Sequence, residues 1–139
     1  MLIRPFRPHD FPEVMKIEKE SFPADAYDEE FFTYLSQKGG FLVAVEKQVV
    51  GYVLYSWKGE IFSIAVDRKS RCKSIGSSLL KRVLEDLKGR TDKVWVHTRV
   101  SNKVAQEFFK KHGFELVGRE PDYYKDEDAL VMVKVISRV

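Results

Sequence analysis

Glu60-Ile-Phe-Ser-Ile-Ala-Val-Asp-Arg-Lys-Ser-Arg-Cys-Lys-Ser-Ile-Gly-Ser-Ser-Leu-Leu80 is the stretch around which the rest of the chain is arranged. Ile61 to Val66 is short, apolar and rich in β-branched residues, which predicts a strand. The chain then turns polar and basic from Asp67 to Lys73, with small residues at Ser74, Gly76, Ser77 and Ser78. From Ile75 a helical period takes over: Ile75, Leu79, Leu80, Val83, Leu84 and Leu87 fall on one face. The order is strand, basic small-residue loop, helix. The first turn of such a helix aims unpaired N–H groups at one point and carries roughly half a positive charge. That suits a phosphate or pyrophosphate, with Arg71 and Lys73 adding formal charge and Gly76 allowing close backbone approach. The plainer reading is a solvated basic turn, since the stretch is neither a P-loop nor a full G-x-G-x-x-G.

With 139 residues the chain is expected to be one domain, 1–139, large enough for a sizeable core. Its 44% hydrophobic and 32% charged residues are ordinary globular usage. Basic and acidic residues are interleaved and sum to only +3, which argues against a nucleic-acid partner. One cysteine, Cys72, excludes an internal disulfide and a Cys-rich metal site; three scattered histidines add no metal pattern, so no metal is expected. No apolar run approaches a membrane span, and Met1-Leu-Ile-Arg-Pro lacks the form of a signal peptide. The expectation is a soluble, cytoplasmic protein with no membrane partner; its oligomeric state, a homodimer included, is open.

Working outward, Leu2 to Phe6 reads as an opening strand. Asp10 with Glu13 resembles a capping box, Pro12 fits a first helical turn, and a helix follows from about Phe11 to Glu20. Asp28 to Gln37 reads as a second helix closed by Gly39-Gly40. Phe41 to Val45, Val49 to Trp57 and Glu60 to Val66 form an antiparallel meander with turns at Glu46-Lys47-Gln48 and Lys58-Gly59. The organising helix, Ser74 to Leu87, has Gly89 past its end. Val94 to Val100 is a strand; Ser101 or Asn102 caps a helix reaching His112, stopped by Gly113. Phe114 to Gly118 and Ala129 to Ile136 are the last strands, joined by a loop over 119–128. The alternation predicts an α/β (α+β) fold: a mixed sheet of about seven strands with about four helices on its two faces.

This order resembles the GNAT (GCN5-related) N-acetyltransferase fold over nearly the whole chain. Ile64-Ala-Val-Asp followed by Arg71-x-x-Ser74-Ile-Gly76 is similar to the family's acetyl-CoA signature, Q/R-x-x-G-x-G/A. Ser101-Asn102-x-x-Ala105-x-x-Phe108-Phe109-x-x-x-Gly113-Phe114 resembles its second signature, N-x-x-A-x-x-x-Y-x-x-x-G-F. The resemblance implies acetyl-CoA as cosubstrate. The backbone of Ile64, Ala65 and Val66 would hold the pantetheine arm. Arg71, Cys72, Lys73, Ser74, Ile75, Gly76, Ser77 and Ser78 would hold the pyrophosphate. Asn102 would contact the arm, with Phe108 and Phe109 counted beside it. Two departures stand out. Ser74 replaces the usual Gly, and Phe109 replaces a Tyr that often protonates the leaving thiolate.

Val96-His97-Thr-Arg99-Val-Ser101-Asn102 resembles the H-V-Q-I-S-N segment of NatE-type N-terminal acetyltransferases, where the His acts with a Tyr through water. The bacterial ribosomal-protein alanine acetyltransferases carry a Glu there instead. Here the residue is His97, and the partner Tyr position falls on Glu60. Phe22-Pro23 with Tyr27-Asp28 resembles the loop that walls the peptide groove of these enzymes. Tyr123-Tyr124 resembles the paired tyrosines that close it.

The chemistry asks for the same parts. At pH 7 a neutral α-amine costs about 1 kcal/mol and a neutral lysine about 4–5, from pKa values near 8 and 10.4. One modest base, His97 or Glu60 or both through water, suffices for the α-amine. Tyr124 or water would protonate the thiolate. Each residue also has an ordinary role: a strand His is commonly structural, Glu60 follows a turn, the two tyrosines can cover a core edge, and Phe108 and Phe109 can be core. The reading is therefore an acetyl-CoA-dependent N-acetyltransferase acting by direct attack on a protein or peptide N-terminal α-amine. One alternative is a small amine, polyamine or lysine side chain, for which Glu18, Glu20, Asp25 and Asp28 near the groove leave room. The other is a catalytically silent acyl-CoA-binding module.

Overall fold

The computed structural model describes residues 1–71 and 74–136. Its elements in chain order are β1 (Leu2–Pro5), α1 (Phe11–Ser21), α2 (Glu29–Ser36), β2 (Gly39–Glu46), β3 (Gln48–Ser56), β4 (Glu60–Val66), α3 (Ile75–Leu87), β5 (Lys93–Arg99), α4 (Lys103–Lys111), β6 (Glu115–Tyr124) and β7 (Glu127–Val135). Short 3₁₀ turns precede α1 at Pro8–Asp10 and follow β4 at Arg68–Ser70. The strands form one seven-stranded sheet in the order β1-β2-β3-β4-β5-β7-β6. Only β4 and β5 run parallel; every other neighbouring pair is antiparallel. This is the mixed α/β sheet expected, with helices on both faces.

Each face has its own core. On one, Ile75, Leu79, Leu80, Val83 and Leu87 of α3 and Phe109 of α4 pack on Leu42, Val53, Val94 and Val96. On the other, Val14, Met15 and Ile17 of α1 and Phe32 and Leu35 of α2 pack on Val43, Tyr52 and Leu54. β3 lies between them and is buried from Val49 to Ser56, so it reads as a continuous apolar run rather than an alternation. Fully burying each leucine of α3 contributes about 1.5–3 kcal/mol, an upper bound, which fixes this helix on the sheet despite a strained start. Its N-cap, Ser74, has φ +63°, in the left-handed region that favours glycine.

Two local expectations changed. Asp10 does not close a capping box on α1. Its carboxylate accepts from the Arg7 N–H at 2.8 Å and from both Arg4 guanidinium nitrogens at 2.8 and 2.9 Å. Glu13 reaches instead across to the Val49 N–H at 3.2 Å. An arginine forked onto a carboxylate outcompetes a neutral cap. The segment 119–128 is mostly strand: β6 and β7 form one long hairpin turning at Lys125-Asp126. A loop was expected over these residues. β6, however, is the outermost strand, where half the backbone needs no partner, and Pro121 sits in a bulge between Glu120 and Tyr124. Asp128 pins that bulge, accepting from Asp122 N–H at 2.9 Å and Arg119 Nε at 2.7 Å.

The feature that matters most for function is the parting of β4 and β5. They pair only at Glu60–Trp95 and Ile61–Val96. A bulge at Phe62 shifts the β3–β4 register between Leu54–Ser63 and Tyr55–Ile61. From Phe62 to Val66, β4 has no strand on its β5 side among the described residues, so part of its backbone lacks a ladder partner there.

Candidate active site

β5 alternates cleanly. Val94 and Val96 enter the α3-side core, so Trp95, His97 and Arg99 line the opposite face. Glu60, the first residue of β4, lies opposite Trp95, and its Oε2 is 3.8 Å from His97 Nδ1. On the other side of the ring, His97 Nε2 donates to Glu120 Oε1 of β6 at 2.9 Å. Because an ionised carboxylate can only accept, Glu120 fixes the tautomer with hydrogen on Nε2 and leaves the Nδ1 lone pair toward Glu60. Nδ1 is buried and has no hydrogen-bond partner among the described residues. Burial pushes the Glu60 carboxyl above its ordinary range, with His97 opposing the shift and Glu120 adding to it. Glu60 is thus a carboxylate biased toward taking a proton.

Aromatic side chains cover this cluster. The Tyr123 ring stacks on the His97 imidazole at 4.1 Å and 6° between planes, and Tyr124 packs edge-on against Tyr123 at 5.0 Å. Burial pushes the Tyr27 hydroxyl up to about 12 and raises that of Tyr124 well above its usual value. Both stay protonated at neutral pH and can donate. Tyr27 and the half-buried Phe22 come from the α1–α2 loop, with Pro23 exposed between them. Glu60 also borders a cavity of about 550 Å³, with Leu35, Trp57, Phe62 and Trp95 among its other walls.

Beneath the loop lies a second polar cluster. Glu18 of α1 is 1% exposed, and its carboxylate accepts from the hydroxyls of Tyr52 and Ser63 and from the Tyr27 N–H. Of the four acidic residues expected to face a cationic acceptor, three are engaged by other groups of the protein. Glu18 holds this cluster, Asp25 pairs with Arg99, and Asp28 caps α2 through the Phe31 N–H. Glu18 satisfies donors whose burial otherwise costs free energy, and Asp28 satisfies an N–H of the first turn of α2. Glu20 is exposed at the end of α1.

The loop expected to bind an anion lies at the open end of β4. Ile64 and Val66 pack toward α3 and Ala65 toward α1, along the edge that β5 leaves uncovered. The N–H groups of Ile75, Gly76 and Ser77 start α3 and have no acceptor within it. Gly76 meets the Phe108 ring, which a Cβ would approach to 3.3 Å. The Ser77 hydroxyl lies 2.9 Å from His112 Nε2, and Ser78 Oγ donates to Ser74 O at 3.0 Å. Arg71 folds back, donating from Nε to Val66 O at 3.0 Å and from Nη2 to Ser21 Oγ at 3.2 Å. Asn102 caps α4 by accepting from the Ala105 N–H, which leaves its NH₂ free of that role. Phe109 is 3% exposed and belongs to the core against Phe114. Cys72 and Lys73 lie outside the described residues.

The structure therefore brings His97, Glu60, Tyr27, Tyr123 and Tyr124 to one face of the sheet and the β4 edge and α3 start to the adjoining opening. Sequence reasoning missed Glu120 and Arg99. Arg99 was findable as the residue two beyond His97 on the same strand face. Glu120 was hidden in the segment read as a loop. Among the described residues, no three His, Cys, Asp or Glu side chains are placed to hold a metal, and no helix is long and apolar enough to cross a membrane.

This mixed sheet, whose central parallel pair parts beside the start of α3, is the GNAT fold. Residues 11–114 match the acetyltransferase (GNAT) family, and the chain belongs to that family. It is 32% identical to an N-alpha-acetyltransferase of Sulfurisphaera tokodaii, covering 94% of this chain and 90% of that one. It is 30% identical to a putative [ribosomal protein bS18]-alanine N-acetyltransferase of Bacillus subtilis, over 97% and 95% of the two chains. The crystal structure of Ard1 from Thermoplasma volcanium superposes with a TM-score of 0.88 at 28% identity, covering 99% of this chain and 98% of that one. The chain is an acetyltransferase, and its acyl donor is acetyl-CoA.

Proposed function

We propose that the protein transfers acetyl from acetyl-CoA to the N-terminal α-amine of a protein or peptide. The observation that carries this is the cluster of Glu60, His97 and Glu120 under the Tyr123 ring, at the point where β4 and β5 part. The names borne by its relatives support it. An α-amine needs only about 1 kcal/mol of help to lose its proton at pH 7. A carboxylate of raised pKa beside the His97 imidazole is matched to that task, and a positioned base contributes typically about 10²–10⁴-fold.

In this reading the backbone of Ile64 to Val66 holds the pantetheine arm and thioester, as an added strand would. The start of α3, residues 74–78, holds the pyrophosphate with the basic loop before it. Asn102 contacts the arm through its free NH₂. Phe109 stays in the core and supports the site from behind. The acceptor enters between Phe22, Pro23 and Tyr27 on one side and Tyr123 and Tyr124 on the other. Its nitrogen attacks the thioester carbonyl carbon. The nitrogen's proton passes to Glu60 or His97, through one water, and the C–S bond breaks as the tetrahedral intermediate collapses. The thiolate takes a proton from Tyr124 or water, or leaves toward the helix dipole. A cytoplasmic setting fits the lone cysteine.

Mass spectrometry of peptides with a free α-amine, varied first residues and one internal lysine, incubated with acetyl-CoA, tests this directly. Acetylation confined to the N-terminus is expected. Modification of the lysine instead would move the assignment to side chains. Binding of acetyl-CoA without transfer to any amine would favour a silent acyl-CoA-binding module.

A further inference from the structure

We propose that Arg99 is a positioning residue for acetyl transfer, tying the α1–α2 loop to the β6–β7 hairpin and so holding the aromatic cover over His97. Its guanidinium is 19% exposed and meets three carboxylates from two elements. Asp25 of the α1–α2 loop accepts in bidentate fashion, from Nε at 2.7 Å and Nη2 at 2.9 Å. From the hairpin, Asp126 accepts from Nη2 at 2.8 Å and Glu127 from Nη1 at 3.0 Å. Its plane also lies over the Tyr124 ring, 4.7 Å from the centroid.

The chain of contact runs on to the reacting groups. Tyr124 packs on Tyr123, and Tyr123 lies flat on His97. Arg99 itself stands two residues from His97 on the same strand face. Nearly every donor of the fork is used, and the two segments it joins are the two walls of the proposed acceptor groove. Isolated surface ion pairs contribute little. A bidentate pair extended into a network with a stacked ring is the exception, and a lysine cannot reproduce it because it offers a point charge without a plane. The groove therefore has a fixed width only while Arg99 holds both walls. A wall displaced by about 1 Å can cost up to roughly a hundredfold in rate.

The proposal rests on the N-terminal acceptor reading. The test compares wild type with Arg99→Lys, Arg99→Met and Asp25→Asn, using the best peptide acceptor and acetyl-CoA, with a melting temperature for each variant. Arg99→Lys and Arg99→Met are expected to lower kcat/KM for the peptide by about tenfold or more, leaving the KM for acetyl-CoA within about twofold. Asp25→Asn is expected to show the same split more weakly. Adding it to Arg99→Met should cost little more, because the shared pair is already broken. Retained peptide kcat/KM in both Arg99 variants would overturn the proposal. So would parallel losses for peptide and acetyl-CoA that track a fall in melting temperature, which would mark a purely structural role. A wild type that acetylates no peptide N-terminus would remove the acceptor reading and this proposal with it. An active wild type with unaffected variants would remove the proposal alone.

Discussion

His97 sits between two carboxylates that differ in what they do to it. Glu120 takes the Nε2 hydrogen and sets the tautomer; Glu60, on the Nδ1 side, is held partly out of water. Glu60 therefore carries a sign that can be measured. Its native pKa is raised above the ordinary value near 4.5, so the native state holds this proton more tightly than the unfolded chain does. Its contribution to stability is present below that value and lost as pH rises through the native pKa. Glu60→Gln is thus expected to melt higher than wild type at pH 7, with the gain disappearing toward pH 4. The same variant should lose the acidic limb of the kcat/KM profile. Equal melting at both pH values would mean that Glu60 is not held at a cost. His97→Ala is expected to cut turnover at least about tenfold while acetyl-CoA affinity is unchanged. An unaltered rate would remove His97 from the mechanism.

At the level of elements, α3 is the test of how burial and backbone strain trade. Its amphipathic face was plain from Ile75, Leu79, Leu80, Val83, Leu84 and Leu87, all buried except Leu84, which is partly buried against the same core. The strain at its entrance was not, because nothing in the local pattern sets the Ser74 φ of +63°. Relieving that strain by Ser74→Gly is expected to stabilise the protein by about 1 kcal/mol, read as a rise in the midpoint of denaturant unfolding. A fall would show that the serine makes a compensating bond. The β6–β7 hairpin shows the opposite error. A loop was expected over 119–128, yet most of it is strand, and an outer strand tolerates a proline such as Pro121 where an inner one does not. Missing that strand also hid Glu120, since its face is defined only once Glu120 pairs with Ala129.

Across the whole molecule, the two cores divide the labour. The α3 side carries the proposed coenzyme edge, and the α1–α2 side carries the proposed acceptor cluster. Glu18 connects parts of the second: it binds β3 through Tyr52, β4 beside its bulge through Ser63, and the groove loop through the Tyr27 N–H. A carboxylate with these partners in an apolar cluster is costly to leave incomplete. Glu18→Ala is expected to destabilise the protein by about 3 kcal/mol or more, by stranding three donors and opening a cavity. Chemical denaturation measures this, and a loss below about 1 kcal/mol would mean that water replaces the carboxylate.

By itself the sequence determined the order and type of the elements, the mixed sheet, the strand–loop–helix unit around residues 60–80 and the family. These depend on periodicity, caps and turn residues that act over a few positions, and on two motifs in register with them. Tertiary structure alone decided that β4 and β5 part after Ile61 and Val96, that Glu60 and Glu120 meet His97 from opposite sides, and that Arg99 gathers Asp25, Asp126 and Glu127. Those partners come from strands and loops far apart in the chain. Their meeting is set by strand order, bulges and which face each side chain takes, and no local pattern records it.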